Sequence, residues 1–325
     1  MNYLMLSVGR RGELLKDFKL SIEKNSKIIA TDNSPYAPAL YFADKHYIVP
    51  RIDDPNYISI ILDICKKENI KAVTTFIDPE IEVLAKNRNR FKEHGVEVLA
   101  PYEETASICF DKYKMYEHLM KCGIPTVPTW CTIEDFENAW RDGKVDFPVF
   151  VKPRTGSGSV GARRVYNYDI LVESFREDPS LIIQELMECE DIDADVYIDT
   201  ISHNAVSAFT KKKIETRIGG ASKTVSFKDE KLFDLIGKIV STLKFNGPID
   251  MDFFFKNGQY YLSEVNPRFG GAYLHAYGAG IDFIKMIENN LNGVTNKKTF
   301  GNYDSGVVMM MYDSVVVKRL EELAK

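Results

Sequence analysis

No Cys-x-x-Cys pair occurs in the chain, and its five cysteines, Cys65, Cys109, Cys122, Cys131 and Cys189, are an odd number. Neither a zinc site nor a disulfide framework is suggested, and a reducing cytoplasm is the expected setting. Long apolar runs are missing too. Nothing approaches the ~20 residues of a membrane span, and the short run Tyr3–Val8 is followed rather than preceded by Arg10 and Arg11, the reverse of a secretory signal. Forty-two basic against forty-seven acidic residues give a net charge of −5, with no stretch concentrating Lys and Arg, which counts against nucleic acid as a partner. Membrane association is not expected either. Gly143-Lys144 and Gly237-Lys238 are not followed by Ser or Thr, so there is no Walker A loop, and the protein-kinase triplets His-Arg-Asp and Asp-Phe-Gly are missing. Gly156, Gly158 and Gly161 spell G-x-G-x-x-G but run into the strand-like Arg163-Arg164-Val165-Tyr166. Gly9-Arg10-Arg11-Gly12 lacks the third glycine, so a NAD site is disfavoured.

What is present is an ordinary globular composition, 45% apolar and 27% charged, over 325 residues. At about 150 residues per domain this predicts two domains with sizeable cores. Short β-rich runs at 3–8, 27–31, 46–49 and 72–76 alternate with helical stretches at 11–24 and 56–69, and a last strand at 96–100 closes the unit near Pro101. That alternation reads as a doubly wound parallel α/β domain. A helix follows with Asp111 as N-cap, Met115, Leu119 and Cys122 at helical spacing, and Gly123 as its stop. From about 147 the pattern becomes strand, glycine loop, strand, then a helix at 168–177 and a strand at 181–185, a separate small α+β unit. The remainder offers strands at 194–201, 205–210, 249–255 and 259–265, helices at 229–244 and 281–292, and a final apolar run Val307–Val317, read as a mainly antiparallel sheet with helices against it.

Four features carry chemistry. The Gly, Ser and Thr loop after Lys152 can lay N–H groups along phosphate oxygens, with the lysine ammonium reaching the same anion; a mobile surface hairpin is the competing reading. The apolar strand Leu181–Leu186 runs into Glu188, Glu190, Asp191 and Asp193, either an adenine and ribose edge or a solvated acidic turn. The hairpin Asp250–Phe255, Lys256-Asn257-Gly258, Gln259–Arg268 is the strongest local signal. A two-residue turn at Asn257-Gly258 puts Asp252 and Glu264 on opposite faces. A three-residue loop ending at Gly258 puts Asp250, Asp252, Glu264 and Asn266 on one face, beside Phe254, Tyr260 and Leu262, as hard oxygen ligands suited to magnesium. The basic run Lys211, Lys212, Lys213 and Arg217, beside Gly219-Gly220, either grips a substrate carboxylate or acyl phosphate or is a solvated strand edge.

Taken together, Thr31-Asp32-Asn33-Ser34, Ala37-Pro38-Ala39-Leu40, Asp111-Lys112, Phe150-Val151-Lys152-Pro153, Gln184-Glu185 and Glu264-Val265-Asn266-Pro267-Arg268 resemble the ATP-grasp superfamily, in the branch similar to a shortened carbamoyl-phosphate synthetase large subunit. The resemblance implies an α/β chain: a doubly wound pre-ATP-grasp domain over 1–104, then an ATP-grasp domain over 105–325 with a small α+β lid at about 112–186 and a C-terminal antiparallel sheet with helices. It implies that Lys112 and Lys152 bind ATP phosphates under the loop 155–161, which contains Gly156, Ser157, Gly158 and Ser159 and is expected to be mobile without nucleotide. By the same carry-over Gln184, Glu185 and Leu186 line the adenine pocket, Asp191 or Glu190 holds the ribose, and Asp252, Glu264 and Asn266 bind magnesium, with manganese as the alternative ion. Arg268 steadies the transferring phosphoryl group, with Lys152 and Arg217 as further catalytic residues. The implied reaction activates a carboxylate as an acyl phosphate for attack by an amine, both small molecules. An ATP-grasp kinase, a carbamoyl-phosphate-type synthetase and a non-catalytic nucleotide sensor are the alternatives, and a homodimer is left open. The N-terminal domain, through Gly9–Gly12, Asp32 and Asp78-Pro79-Glu80, is expected to form the acceptor side of the cleft.

Overall fold

In a computed structural model of the chain, the structure describes residues 1–156, 161–217 and 220–323. Five parallel strands, β1 (Asn2–Leu6), β2 (Lys27–Asp32), β3 (Lys45–Ile48), β4 (Ile70–Thr75) and β5 (Glu97–Val98), form a sheet in the order β3-β2-β1-β4-β5. The runs are apolar on both faces because helices cover both: Leu4, Leu6 and Ile29 pack with Ile58, Ile61, Leu62 and Cys65 of the helix Tyr57–Lys67. Strand order reverses beside β1, so the loops after β1 and β4 flank the crevice where such sheets present ligands.

A four-stranded antiparallel sheet follows: β6 (Thr129–Trp130), β7 (Val149–Pro153), β8 (Arg163–Val165) and β9 (Leu181–Glu185), ordered β6-β9-β7-β8. The helices Ile133–Arg141 and Tyr168–Glu177 close one face of it around Phe136, Val149, Val151 and Leu171. The largest sheet holds β10 (Glu190–Ile198), β11 (Ala205–Arg217), β12 (Gly220–Phe227), β13 (Gly247–Lys256), β14 (Gln259–Asn266) and β15 (Val308–Met310), ordered β14-β13-β10-β11-β12-β15 and antiparallel throughout. Its apolar residues Ile192, Ala194, Val196, Ile249, Met251 and Phe253 share one core with Leu232, Phe233 and Ile236 of the helix Glu230–Val240. That core runs on into the N-terminal domain through Phe269, whose ring stands edge-on to Phe18 at 5.4 Å and to Phe76 at 6.5 Å.

Most expected elements stand within a few residues of their places, and the departures have local causes. β1 stops at Leu6 because Ser7 turns to φ 49°. β11 runs on through the basic residues to Arg217 because β12 pairs with it, a strand the sequence reading did not list. The helices Asp78–Lys86, Glu103–Phe110 and Ile133–Arg141 were also not anticipated. Of the run Val307–Val317 only Val308–Met310 joins the sheet; Tyr312, Val315 and Val317 are exposed. Truncating Phe269 empties the seam between the two domains. Phe269→Ala is expected to lower the unfolding free energy by about 3–5 kcal/mol in urea titration, whereas a loss under 1 kcal/mol would mean that the seam closes without it.

Candidate active site

The site grows from the β13–β14 hairpin. Asn257 and Gly258 both have positive φ, 53° and 79°, and form the two-residue turn, pairing Lys256 with Gln259 and Phe253 with Leu262. The three-residue loop is therefore not formed. The ladder then slips by one residue between Phe253 and Asp252, so that Asp252 faces Glu264 and Asp250 faces Asn266. This bulge at Ser263 brings the acids to one face, as the three-residue loop would have done. It also corrects the company they keep: Phe254 pairs with Tyr261 on the acid face, while Tyr260 and Leu262 pair with Phe255 and Phe253 and are buried.

The neighbouring strand continues this charged face. Asp191, Asp193 and Asp195 of β10 alternate with buried Ile192, Ala194 and Val196 and stand opposite Phe254, Asp252 and Asp250. β11 supplies the balancing cations. Lys211, with no exposed surface, sits between Asp193 at 3.0 Å and Asp195; Lys213 bridges Asp191 at 2.9 Å and Asp252 at 2.5 Å. Burial works against both ammoniums, but the surrounding carboxylates raise their pKa values above the usual lysine range. Lys212 points the other way, to Glu190. Alternation splits the basic run: its inward members Lys211 and Lys213 are internal counter-ions, and Lys212 and Arg217 stand at an exposed edge. Burial and repulsion from Asp193 and Asp252 hold the Asp250 carboxyl well above the usual range, and burial, partly offset by Lys211, brings Asp195 to about 6. Sequence reading missed Asp195 and the pairing of Lys211 and Lys213; the alternation of acids with Ile192, Ala194 and Val196 was the signal available.

Arg268 closes the face from above. Its Nε lies 3.0 Å from Asp78 of the N-terminal domain and its Nη1 3.3 Å from Asp250. Gly270 follows, so close that a Cβ there would lie 2.6 Å from Asp195 Oδ1 and 2.9 Å from Asp250. Asp32 ties the loops after β1 and β2 together, accepting from the Gly9 and Ser34 backbone N–H groups at 2.9 and 3.0 Å. Glu80 turns inward instead, fully buried and accepting from the Tyr57 and Thr75 hydroxyls, so of the expected acceptor-side acids Asp78 alone reaches the Arg268 cluster.

Lys112 and Lys152 face the hairpin from the lid side. Lys152 lies on β7 and is 9% exposed; burial lowers its pKa, and Glu264 is the carboxylate that most counters this. Among the described residues no carboxylate lies within 4.0 Å of its ammonium. Lys112 begins the helix Lys112–Lys121, capped by Asp111, which accepts from the N–H groups of Tyr113 and Lys114 and is braced by Arg154 at 2.7 Å. Its ammonium donates to the Gly156 carbonyl at 2.7 Å and stands 3.9 Å from Glu264. A pocket lined by Asp78, Ile81, Ala106, Cys109, Glu264 and Asn266 opens beside them.

Asp252, Glu264 and Asn266 suit a hard divalent cation. Asn266 donates its Nδ2 to Asp252 at 3.3 Å, leaving its oxygen available; Asp252 is shared with Lys213, and among the described residues Glu264 has only the distant Lys112 as a partner. The buried trio Asp193, Asp195 and Asp250 also gathers carboxylate oxygens within 4.8 Å, but Lys211 already supplies the cation there. Gln184 is buried and donates to Thr129 at 2.8 Å; Glu185 pairs with Lys256 at 2.6 Å, Leu186 follows half-buried, and Asp191 is held by Lys213. Ser157, Gly158, Ser159 and Gly219 lie outside the described residues, and with them most of the loop expected to be mobile. Arg217 is not brought to the cluster. It pairs with Glu215 at 3.6 Å near the end of β11, roughly 20 Å along the strand from Lys211 at about 3.3 Å per residue.

Residues 109–272 match the model of the ATP-grasp domain. The chain belongs to the ATP-grasp family. Residues 3–99 match the PylC-like N-terminal domain. The chain is 27% identical over 311 residues to a carbamoyl-phosphate synthase of Methanobrevibacter smithii, covering 89% of this chain and 80% of that one. It is 25% identical over 270 residues to the 3-methyl-D-ornithine–L-lysine ligase of Methanosarcina acetivorans, covering 82% and 68%. Of longer pyruvate carboxylases and carbamoyl phosphate synthase large chains it spans only about a quarter. Among solved structures, the biotin carboxylase domain of Hydrogenobacter thermophilus 2-oxoglutarate carboxylase, in complex with MgADP and bicarbonate, superposes with a TM-score of 0.74 at 19% identity, covering 94% of this chain and 73% of that one. Within this ATP-grasp family the chain is an ATP-dependent ligase of the carbon–nitrogen bond-forming type. Among the described residues no helix is long and apolar enough to cross a membrane.

The closeness of Gly270 to the acid cluster generates a test. Gly270→Ala is expected to cost about 1–3 kcal/mol of stability, because Asp195 and Asp250 are fixed by Lys211 and Arg268 and cannot yield; an unchanged melting curve would show that they can.

Proposed function

We propose that this ligase uses ATP and magnesium to convert a small carboxylate to an acyl phosphate, which a small amine then attacks. The observation that carries the proposal is the buried Lys152 ammonium, without a carboxylate partner among the described residues and facing Glu264 and Asp252 beside Lys112. A buried cation left unpaired is costly unless an anion completes it, and the phosphate groups of ATP are that anion. The Gly156 carbonyl accepts from Lys112 at the same place, and Gln184, Glu185, Leu186 and Asp191 border the path where the adenosine would lie.

Asp252, Glu264 and Asn266 would hold the magnesium, which when bound neutralises charge on the transferring phosphoryl group. A carboxylate oxygen of the substrate attacks the γ-phosphorus and ADP leaves. The amine nitrogen then attacks the acyl carbon, inorganic phosphate leaves, and an amide remains. Lys152 and Lys112 hold the phosphates in line. Arg268, fixed by Asp78 and Asp250, keeps its guanidinium oriented toward the developing charge without having to reorganise. The kinship with an ornithine–lysine ligase favours amino acids as substrates. The kinship with a carbamoyl-phosphate synthase supports a second reading, in which bicarbonate and ammonium are the substrates.

An ADP-release assay over paired amino acids, small acids and amines, with bicarbonate plus ammonium as its own arm, separates the two. Glu264→Gln is expected to fold with its melting temperature nearly unchanged and to lose ADP formation by about 100-fold or more. Parental turnover in a variant that melts several degrees lower would make Glu264 a structural acid. Calorimetry showing no MgATP binding at millimolar magnesium would end the proposal.

A further inference from the structure

Among the described residues, the charged face leaves one guanidinium without an anion. Lys211 and Lys213 are each held between two carboxylates, and so is Arg268. Arg11, at the end of the loop after β1 and just before the helix Gly12–Ser21, donates Nη1 to the Gly270 carbonyl at 3.0 Å, and its side chain has no other hydrogen bond among the described residues. No carboxylate oxygen of the described residues lies within 4.0 Å of it. The acids around it, Asp250, Asp78 and Asp195, are already committed to Arg268 or Lys211. Burial and the like charge of Arg268 push its pKa down to about 10. Two guanidiniums kept together in a partly buried cleft repel each other unless an anion joins them.

We infer that Arg11 anchors a substrate carboxylate through its free Nε and Nη2 donors. The guanidinium fork matches a carboxylate in two parallel hydrogen bonds, which a single ammonium cannot reproduce. The fork is held in place from behind: Gly270 is pressed against Asp195 and Asp250, and its carbonyl fixes Nη1. Arg11 comes from the N-terminal domain, at the crevice between the loops after β1 and β4, whereas the phosphate-facing lysines come from the lid side. On this placement the carboxylate it is assigned is one that is not phosphorylated. It comes either from an amino acid that supplies the attacking amine or from a second carboxyl group of the acid that is activated.

This inference rests on the ligase reading above, and its test keeps the two apart. ADP release is measured with pairs of the twenty proteinogenic amino acids, and KM is determined for each member of an active pair at saturation of the other. Arg11→Gln is expected to raise KM for one member by roughly 30-fold or more, the loss of a charged two-point contact, with MgADP affinity by calorimetry changed less than about twofold. Arg11→Lys is expected to recover part of the loss, and it serves alone if the glutamine variant does not fold. The member whose KM moves identifies the source: the amine donor in one case, the activated acid in the other. Its analogue lacking that carboxyl group, the decarboxylated amine or the monocarboxylate, should be used equally poorly by parent and variant. Unchanged KM values for both members overturn the inference, as does a parallel loss of MgADP affinity. So does the absence of ADP release with every amino-acid pair in a protein that binds MgATP. Absence of MgATP binding itself removes the ligase reading and this inference with it.

Discussion

Charge compensation on one largely buried face of the six-stranded sheet governs the rest of this molecule. Asp191, Asp193, Asp195, Asp250 and Asp252 stand on adjacent strands, and an uncompensated buried carboxylate costs several kcal/mol. Lys211, Lys213 and Arg268 supply the compensation from within the chain. Their commitment has a chemical consequence: Lys211 and Lys213, each locked between two carboxylates, serve as internal counter-ions, and Arg268 is fixed in orientation by Asp78 and Asp250. The cations not locked in this way approach from outside the sheet, Lys112 and Lys152 from the lid side and Arg11 from the N-terminal domain.

The same arrangement makes the two domains depend on each other. Arg268 needs Asp78, which belongs to the N-terminal domain, and Phe269 next to it fills the apolar seam against Phe18 and Phe76. Gly270 then lets the backbone lie directly on Asp195 and Asp250 and turns its carbonyl to Arg11. Three consecutive residues thus join a charge clamp, an apolar contact and a close backbone approach. The cleft between the phosphate end and the N-terminal crevice is set by this short segment more than by either domain alone.

Local signals in the sequence were reliable where a single physical cause acts alone. Asp111 caps its helix because the carboxylate accepts from the exposed N–H groups of the first turn, whatever the rest of the chain does. Asn257-Gly258 turns because both positions tolerate positive φ. The parallel domain was legible from alternating apolar strands and amphipathic helices, and the family from motifs in order. The reading failed where two causes compete. The acids of the hairpin share a face because a bulge at Ser263 shifts the ladder, and a bulge leaves no mark in residue type.

The sequence by itself determined most of the elements, the place of the hairpin turn, the helix cap and the family, since each depends on contacts within a few residues or on chemical type. Only the tertiary structure decided which charges are available. Lys211 and Lys152 are alike as residues, yet one meets two carboxylates across a strand and the other meets none within 4.0 Å among the described residues. Pairing of that kind is set by strand register and domain contact between residues far apart in the chain, and the linear order of residue types does not specify it.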